Sequence, residues 1–236
     1  MIKPYSVPLL FAHEQAPKSL WCCGGTALLW QSLEGKFIVS GAHVWRELVK
    51  QRDQLRGRMS IFIGMAPKVV SLLEVEPVSI DDELDIVVLP APGITDDRLG
   101  KKKFYQTRAW PLAPAIHGET LGTLGFPGEA REPRQFTVET NSFYYENSCA
   151  VSTSGANLLI GAFSSEPPMT VVHVNRATKP IANFGGISGA PVFALRAGTP
   201  IWVGVIKRGS AGRGIDAGLQ ATPSHFVQAD GTIRRN

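Results

Sequence analysis

Three side chains of complementary chemistry stand far apart in this chain, each in a setting that would present it. Ser188 sits in FGGISGAPVF (Phe184–Phe193), flanked by glycines and followed at once by an apolar run. Glycine loses the most backbone entropy in a packed strand, so Gly185, Gly186 and Gly189 predict unusual dihedrals or close backbone approach. A hairpin turn alone would use the same residues. The chemical alternative is a hydroxyl nucleophile on a tight bend, with unbonded backbone N–H groups beside it to receive negative charge. That chemistry requires a base and an acid from elsewhere in the chain.

His43 closes the run KFIVSGAH (Lys36–His43). Its imidazole, with an ordinary pKa of about 6.5, can take and return a proton near neutral pH. A lone histidine at a strand end also serves structural ends, so its case depends on its company. Asp85 stands at the mouth of LDIVVL (Leu84–Leu89). A carboxylate buried there needs a hydrogen-bond donor, and an imidazole N–H would serve; an Asx-turn is the plainer role. Asp81 and Asp82 are neighbouring rivals without the apolar run behind them.

Bringing these three together demands a strand-rich scaffold. Alternation and β-branched enrichment predict strands near Gly25–Trp30, Lys36–Ser40, Met59–Gly64, Val69–Val78 and Asp85–Leu89. A second set falls near Thr120–Gly125, Gln135–Tyr145, Asn157–Phe163, Thr170–Asn175, Ala190–Leu195, Ile201–Lys207 and Gly218–Ala221. Only Val44–Arg56 has helical spacing, with a short turn at Thr222–Val227. So many strands and so little helix exclude a doubly wound α/β architecture.

Six short segments, in order, resemble the trypsin-like, chymotrypsin-fold serine peptidases: CGGTALL (Cys23–Leu29), IVSGAHV at His43, LDIVVL at Asp85, GFPG (Gly125–Gly128), GGISGAPV at Ser188 and VGVIKRG (Val203–Gly209). The resemblance spans residues 20–227 and implies an all-β fold of two antiparallel six-stranded β-barrels with the active site in the cleft between them. The implied domains are 1–105, carrying His43 and Asp85, and 117–236, carrying Ser188 and a short C-terminal helix, joined by a linker at 106–116. The implied activity is that of a serine endopeptidase: Ser188 attacks, His43 shuttles the proton, and Asp85 orients His43. Gly186 and Ser188 would supply the oxyanion-hole N–H groups. Ala182, six residues before the nucleophile, would form an uncharged pocket base, with Lys207 and Gly209 on the facing wall.

The departures from the family pattern carry expectations of their own. Ile187 stands where digestive members have an aspartate that pairs with a newly cut N-terminus, so activation by cleavage is not expected and bacterial or intracellular members are the nearer resemblance. Val44 occupies the place of a half-cystine partner for Cys23, so that disulfide should be absent. Ile187, Ala190 and Lys207 also suit a second reading, a catalytically silent protease-fold scaffold that binds a partner protein. Other nucleophile frameworks fit worse. The position two after Ser188 is Ala190, not the glycine of a G-x-S-x-G elbow, and Cys149 in ENSCAVS lacks flanking glycines.

Composition narrows the remaining classes. The 236 residues are 44% hydrophobic and 19% charged, with 24 Gly and 17 Pro, which fits a globular, turn-rich chain. A net charge of +4 comes with one dense basic run, Lys101–Lys103, and no aromatic–basic interleaving that would point to nucleic acid. Cys22, Cys23 and Cys149 lack the spacing of a zinc site, so no metal or other cofactor is expected. The N-terminal apolar patch is too short and too broken by proline for a secretory segment, and no run would span a membrane. The expectation is a cytoplasmic protein acting on a protein or peptide substrate, with a possible activating partner protein.

Overall fold

A computed structural model describes residues 2–13, 24–54, 59–64, 69–72, 74–91, 93–107, 109–128, 131–133, 138–140, 142–151, 157–161, 185–211 and 217–235. The expected strand at Thr170–Asn175, and Cys22, Cys23 and Ala182, lie outside them. The N-terminal strands are β1 (Ser6–His13), β2 (Gly24–Gln31), β3 (Lys36–Ser40), β4 (Met59–Gly64), β5 (Val69–Ser71), β6 (Ser79–Asp81), β7 (Ile86–Pro90) and β8 (Tyr105–Gln106). They form one eight-stranded sheet in the order β5-β4-β1-β2-β3-β7-β6, with β8 alongside β2 in parallel and every other pair antiparallel. Of the stretch expected as one strand over 69–78, only β5 is strand among the described residues, and β6 begins just past it at Ser79, at the opposite end of the sheet.

Strand β1 has no clear signal in the sequence because Pro8 interrupts its apolar pattern. Proline is tolerated where no ladder bond is lost. The register of β1 with β4 begins at Leu9, one residue past Pro8.

The C-terminal strands are β9 (Thr120–Gly125), β12 (Phe143–Val151), β13 (Leu158–Gly161), β14 (Pro191–Arg196), β15 (Thr199–Ala211) and β16 (Ala217–Pro223), which close as an antiparallel barrel in the order β12-β13-β16-β15-β14-β9. A two-stranded ribbon, β10 (Arg131–Pro133) and β11 (Val138–Thr140), stands off it. The helical elements named among the described residues are α1 (Ala42–Gln54), the four-residue α2 (Asp96–Leu99) and a 3-10 turn at Ser224–Phe226.

The apolar runs are continuous because several strands are buried on both faces. Side chains alternate between faces, and in β2, β3 and β7 Ala27, Leu29, Ile38, Val87 and Leu89 fill the N-terminal core with Val44, Trp45 and Leu48 of α1. The opposite faces, with Leu28, Trp30, Phe37, Val39, Ile86 and Val88, meet Leu124, Phe126, Phe193, Trp202 and Val205 of the barrel. Trp30 and Trp202 lie with ring centroids 5.4 Å apart across this seam. Leu112, from the stretch expected as a linker, is buried in the same cluster and Trp110 packs against it. The barrel's own interior holds Leu121, Leu158, Ile160, Val192, Val203, Ile206 and Leu219. Large two-sided burial thus fixes how the two β-units face each other, and that fixes the cleft.

Candidate active site

His43 is the second residue of α1, three residues past the end of β3 rather than at a strand end as its sequence context suggested. Gly41 acts as the helix cap, its carbonyl accepting from Trp45 N–H at 3.2 Å. Glycine has no side chain to satisfy the unpaired N–H groups of a first helical turn. Asp85 does this from across the sheet: its Oδ1 accepts the His43 backbone N–H at 2.9 Å, while its Oδ2 lies 2.7 Å from His43 Nδ1. The positive end of the helix favours an anion at this point. Asp85 has φ 56°, a left-handed conformation in which aspartate is among the better tolerated residues, and the turn it makes leads directly into β7. Its rivals are engaged elsewhere. Arg46 donates to both oxygens of Asp82, and Arg235 to both oxygens of Asp81.

Ser188 belongs to the bend between residues 185 and 190, held by a series of bonded carbonyls. Gly128 N–H donates to Gly185 O at 2.7 Å, Thr26 Oγ1 to Gly186 O at 3.0 Å, Ala190 N–H to Ile187 O at 2.9 Å, and Thr26 N–H to Ser188 O at 2.9 Å. In a trans peptide the C=O and the following N–H point in opposite directions. Anchoring Gly185 O and Ile187 O therefore turns the Gly186 and Ser188 N–H groups the other way, and neither meets an acceptor among the described residues. Gly186 has φ +93°, and a Cβ there would lie 2.8 Å from Gly128 N. Gly186 and Gly189 thus serve positive φ and close backbone contact rather than a simple hairpin.

The structure joins His43 to Asp85 by direct hydrogen bonds and brings the Ser188 bend up to the same place. The point a Cβ on Gly41 would occupy is 3.4 Å from His43 Cε1 and 3.6 Å from Gly189 N. Ser188 Oγ, however, donates to Lys207 O at 3.2 Å. That carbonyl is available because the β15–β16 register shifts between Ile206 and Arg208, leaving Lys207 as the extra residue. The Lys207 ammonium reaches the other way, donating to Glu83 O at 2.9 Å on the Asp85 side. Burial lowers its pKa, opposed by the charges of Asp85 and Asp81. Gly209 pairs with Leu219 in the β15–β16 ladder. Ile187 is buried at 1% exposure inside the barrel, against Gly125, so no carboxylate occupies that position. Among the described residues no group of three or more His, Cys, Asp or Glu side chains is placed to hold a metal ion, and no helix is long and apolar enough to cross a membrane.

No family model and no curated protein sequence matches the chain. Solved structures do. The serine protease domain of the Sesbania mosaic virus polyprotein aligns over 98% of this chain and 94% of its own, at 16% identity and TM-score 0.51. The thermostable serine protease AL20 from an extremophilic microorganism aligns over 93% and 91%, at 13% identity and TM-score 0.52. A mutant tobacco etch virus protease aligns over 94% and 76%, at 10% identity and TM-score 0.52.

The fold is chymotrypsin-like.

Within this chymotrypsin-like fold, two residues that sequence reasoning did not single out support the bend. Thr26, fully buried, donates to Gly186 O and accepts from Phe126 N–H at 3.0 Å. A threonine at the head of an otherwise apolar strand was a usable signal, since a buried hydroxyl needs partners. Arg131 is buried at 4% exposure with its guanidinium on the carbonyls of Gly25, Phe126 and Gly186. Nothing in the charged run around it distinguishes this arginine from its neighbours.

Proposed function

We propose that this protein is a serine endopeptidase that hydrolyses peptide bonds of protein or peptide substrates through His43, Asp85 and Ser188. The observation that carries this reading is the doubly bonded His43–Asp85 pair, which orients the imidazole and holds a proton on Nδ1. Nε2 is then left unprotonated and able to act as a base. Rotation of the Ser188 hydroxyl away from Lys207 O and toward His43 begins the reaction. His43 Nε2 takes the hydroxyl proton as Oγ bonds to the substrate carbonyl carbon. The carbonyl oxygen gains negative charge and is received by the Gly186 and Ser188 N–H groups. Collapse breaks the C–N bond, His43 returns the proton to the departing amine, and an acyl-enzyme remains. Water, deprotonated by the same imidazole, releases the acid.

The uncharged residue Ala182, carried over from the family pattern, supports a preference for small or apolar side chains next to the scissile bond. The Lys207 ammonium serves the Asp85 side rather than the substrate.

A second reading, a silent scaffold that binds a partner, is favoured by the Ser188–Lys207 hydrogen bond, which commits the hydroxyl proton to a carbonyl rather than to His43. A fluorophosphonate probe separates the two. Stoichiometric labelling, abolished in Ser188→Ala, is the expected result, together with a loss of peptide hydrolysis on the order of 10⁴-fold or more in that variant. A parent chain that takes up no probe refutes the peptidase reading.

A further inference from the structure

In the digestive branch of the resembling family an ion pair to a new N-terminus sets the bend, and Ile187 cannot make one. Something else must determine which way the Gly186 and Ser188 N–H groups point. A glycine-rich bend has several accessible peptide orientations. Selecting one requires acceptors and donors fixed on neighbouring elements.

Arg131 meets that requirement. It opens β10, outside both large sheets, yet its side chain passes inward. Nη2 lies 2.7 Å from Phe126 O, 3.2 Å from Gly25 O and 3.4 Å from Gly186 O. One guanidinium thereby links the N-terminal sheet at β2, the loop leaving β9 and the bend itself. The close pack is tight: a Cβ on Gly186 would come within 3.0 Å of Nη2, and one on Gly24 within 3.3 Å of Nη1. Gly186 O receives Arg131 from one side and Thr26 Oγ1 from the other. This oxygen belongs to the Gly186–Ile187 peptide, which lies between the two peptides that carry the Gly186 and Ser188 N–H groups and shares a Cα with each. Flipping it would remove both donors from a buried oxygen, which is especially costly where one donor is charged, and holding it restrains the two flanking peptides.

We infer that Arg131 is a positioning residue that, with Thr26, holds the 185–188 bend in the state whose two unbonded N–H groups face the cleft. This makes the oxyanion site an intrinsic property of the folded chain, needing neither N-terminal cleavage nor an activating partner. The inference rests on the peptidase reading for its effect on rate, though not for its effect on the bend.

The test compares the full chain with Arg131→Met, which removes the charge and all donors, and Arg131→Lys, which keeps the charge as a point donor unable to fork between carbonyls. Fluorophosphonate titration counts reactive sites, and hydrolysis of a p-nitrophenyl ester then gives kcat per titrated site and KM. A displacement of about 1 Å in a catalytic group can cost about 10²-fold. The expected result is a fall in kcat of roughly 10- to 100-fold in Arg131→Met, KM within about twofold, and a smaller fall in Arg131→Lys. A role in stability alone would reduce the number of titratable sites and leave kcat per site intact. That result, or a rise in KM at constant kcat, overturns the inference. Should Arg131→Met not fold, Arg131→Lys and Thr26→Val carry the test, and an unchanged kcat in both overturns it. Should the parent chain itself take up no probe, the peptidase reading falls, and amide hydrogen exchange decides the clamp separately. Faster exchange at Gly128 and Ala190, whose N–H groups bond the bend, is expected in Arg131→Met or, if that variant does not fold, in Thr26→Val; unchanged exchange overturns it.

Discussion

Replacing Asp85 by asparagine isolates what the carboxylate does for His43. The change is nearly isosteric, and asparagine tolerates the left-handed φ of 56° at this position at least as well as aspartate, so the backbone leading into β7 should persist. The amide now has one acceptor and one donor end where the carboxylate had two acceptors. The His43 backbone N–H can only donate, so it claims the amide oxygen. The amide NH₂ is left facing Nδ1, which must become an acceptor and shift the imidazole proton to Nε2, where it blocks attack by Ser188. The reverse orientation sets two donors against each other at a side chain only 13% exposed, a penalty of about 1–3 kcal/mol. The imidazolium formed during reaction also loses its counter-charge. A full charge pair at about 4 Å is worth about 4 kcal/mol at a near-surface dielectric; His43 is 53% exposed, and screening reduces this to about 2–3 kcal/mol. Together these terms give about 3–6 kcal/mol, or roughly 10²- to 10⁴-fold in rate. The assay is the second-order rate of fluorophosphonate labelling, which needs no knowledge of the substrate, with thermal unfolding as a control. A folded Asp85→Asn chain that labels within about tenfold of the parent would refute the argument that Asp85 sets the tautomer.

The remaining predictions concern the scaffold around the site. Gly189 has φ +85°, and a Cβ there would meet Thr26 O at 2.1 Å and Ser40 Oγ at 2.2 Å. Gly189→Ala should therefore lose about 2–5 kcal/mol of stability in urea unfolding, from left-handed strain and overpacking together; a loss below about 1 kcal/mol would contradict this contact geometry. Burial, with a smaller contribution from Lys3, lowers the Lys102 pKa from 10.5 to about 8, so between those values the folded chain binds fewer protons than the unfolded one and stability should rise with pH. Urea midpoints measured across this window should show the rise in the parent chain and a weaker one in Lys102→Met; identical slopes would count against it.

Much of the candidate site is legible in the chain because the chemistry proposed for it is written in local patterns. A serine between glycines, a histidine after an apolar strand and an aspartate before one each follow from short-range rules on backbone freedom and buried charge. Six segments in a fixed order then pointed to the fold that the solved structures also match. Other features depended on contacts between residues far apart in sequence. Strand β1 escaped notice because Pro8 obscures its pattern, and only its place beside β2 and β4 shows that the proline is harmless. The turning of Ser188 Oγ to Lys207 O depends on a register shift in the β15–β16 pair, which no local pattern encodes. Sequence alone determined which residue types were present to do chemistry, since side-chain identity and near-neighbour sterics are local. The tertiary structure decided which carbonyls each donor reaches. A hydrogen bond acts over about 3 Å, and Arg131 comes within that reach of Gly186 only because two β-units pack against one another.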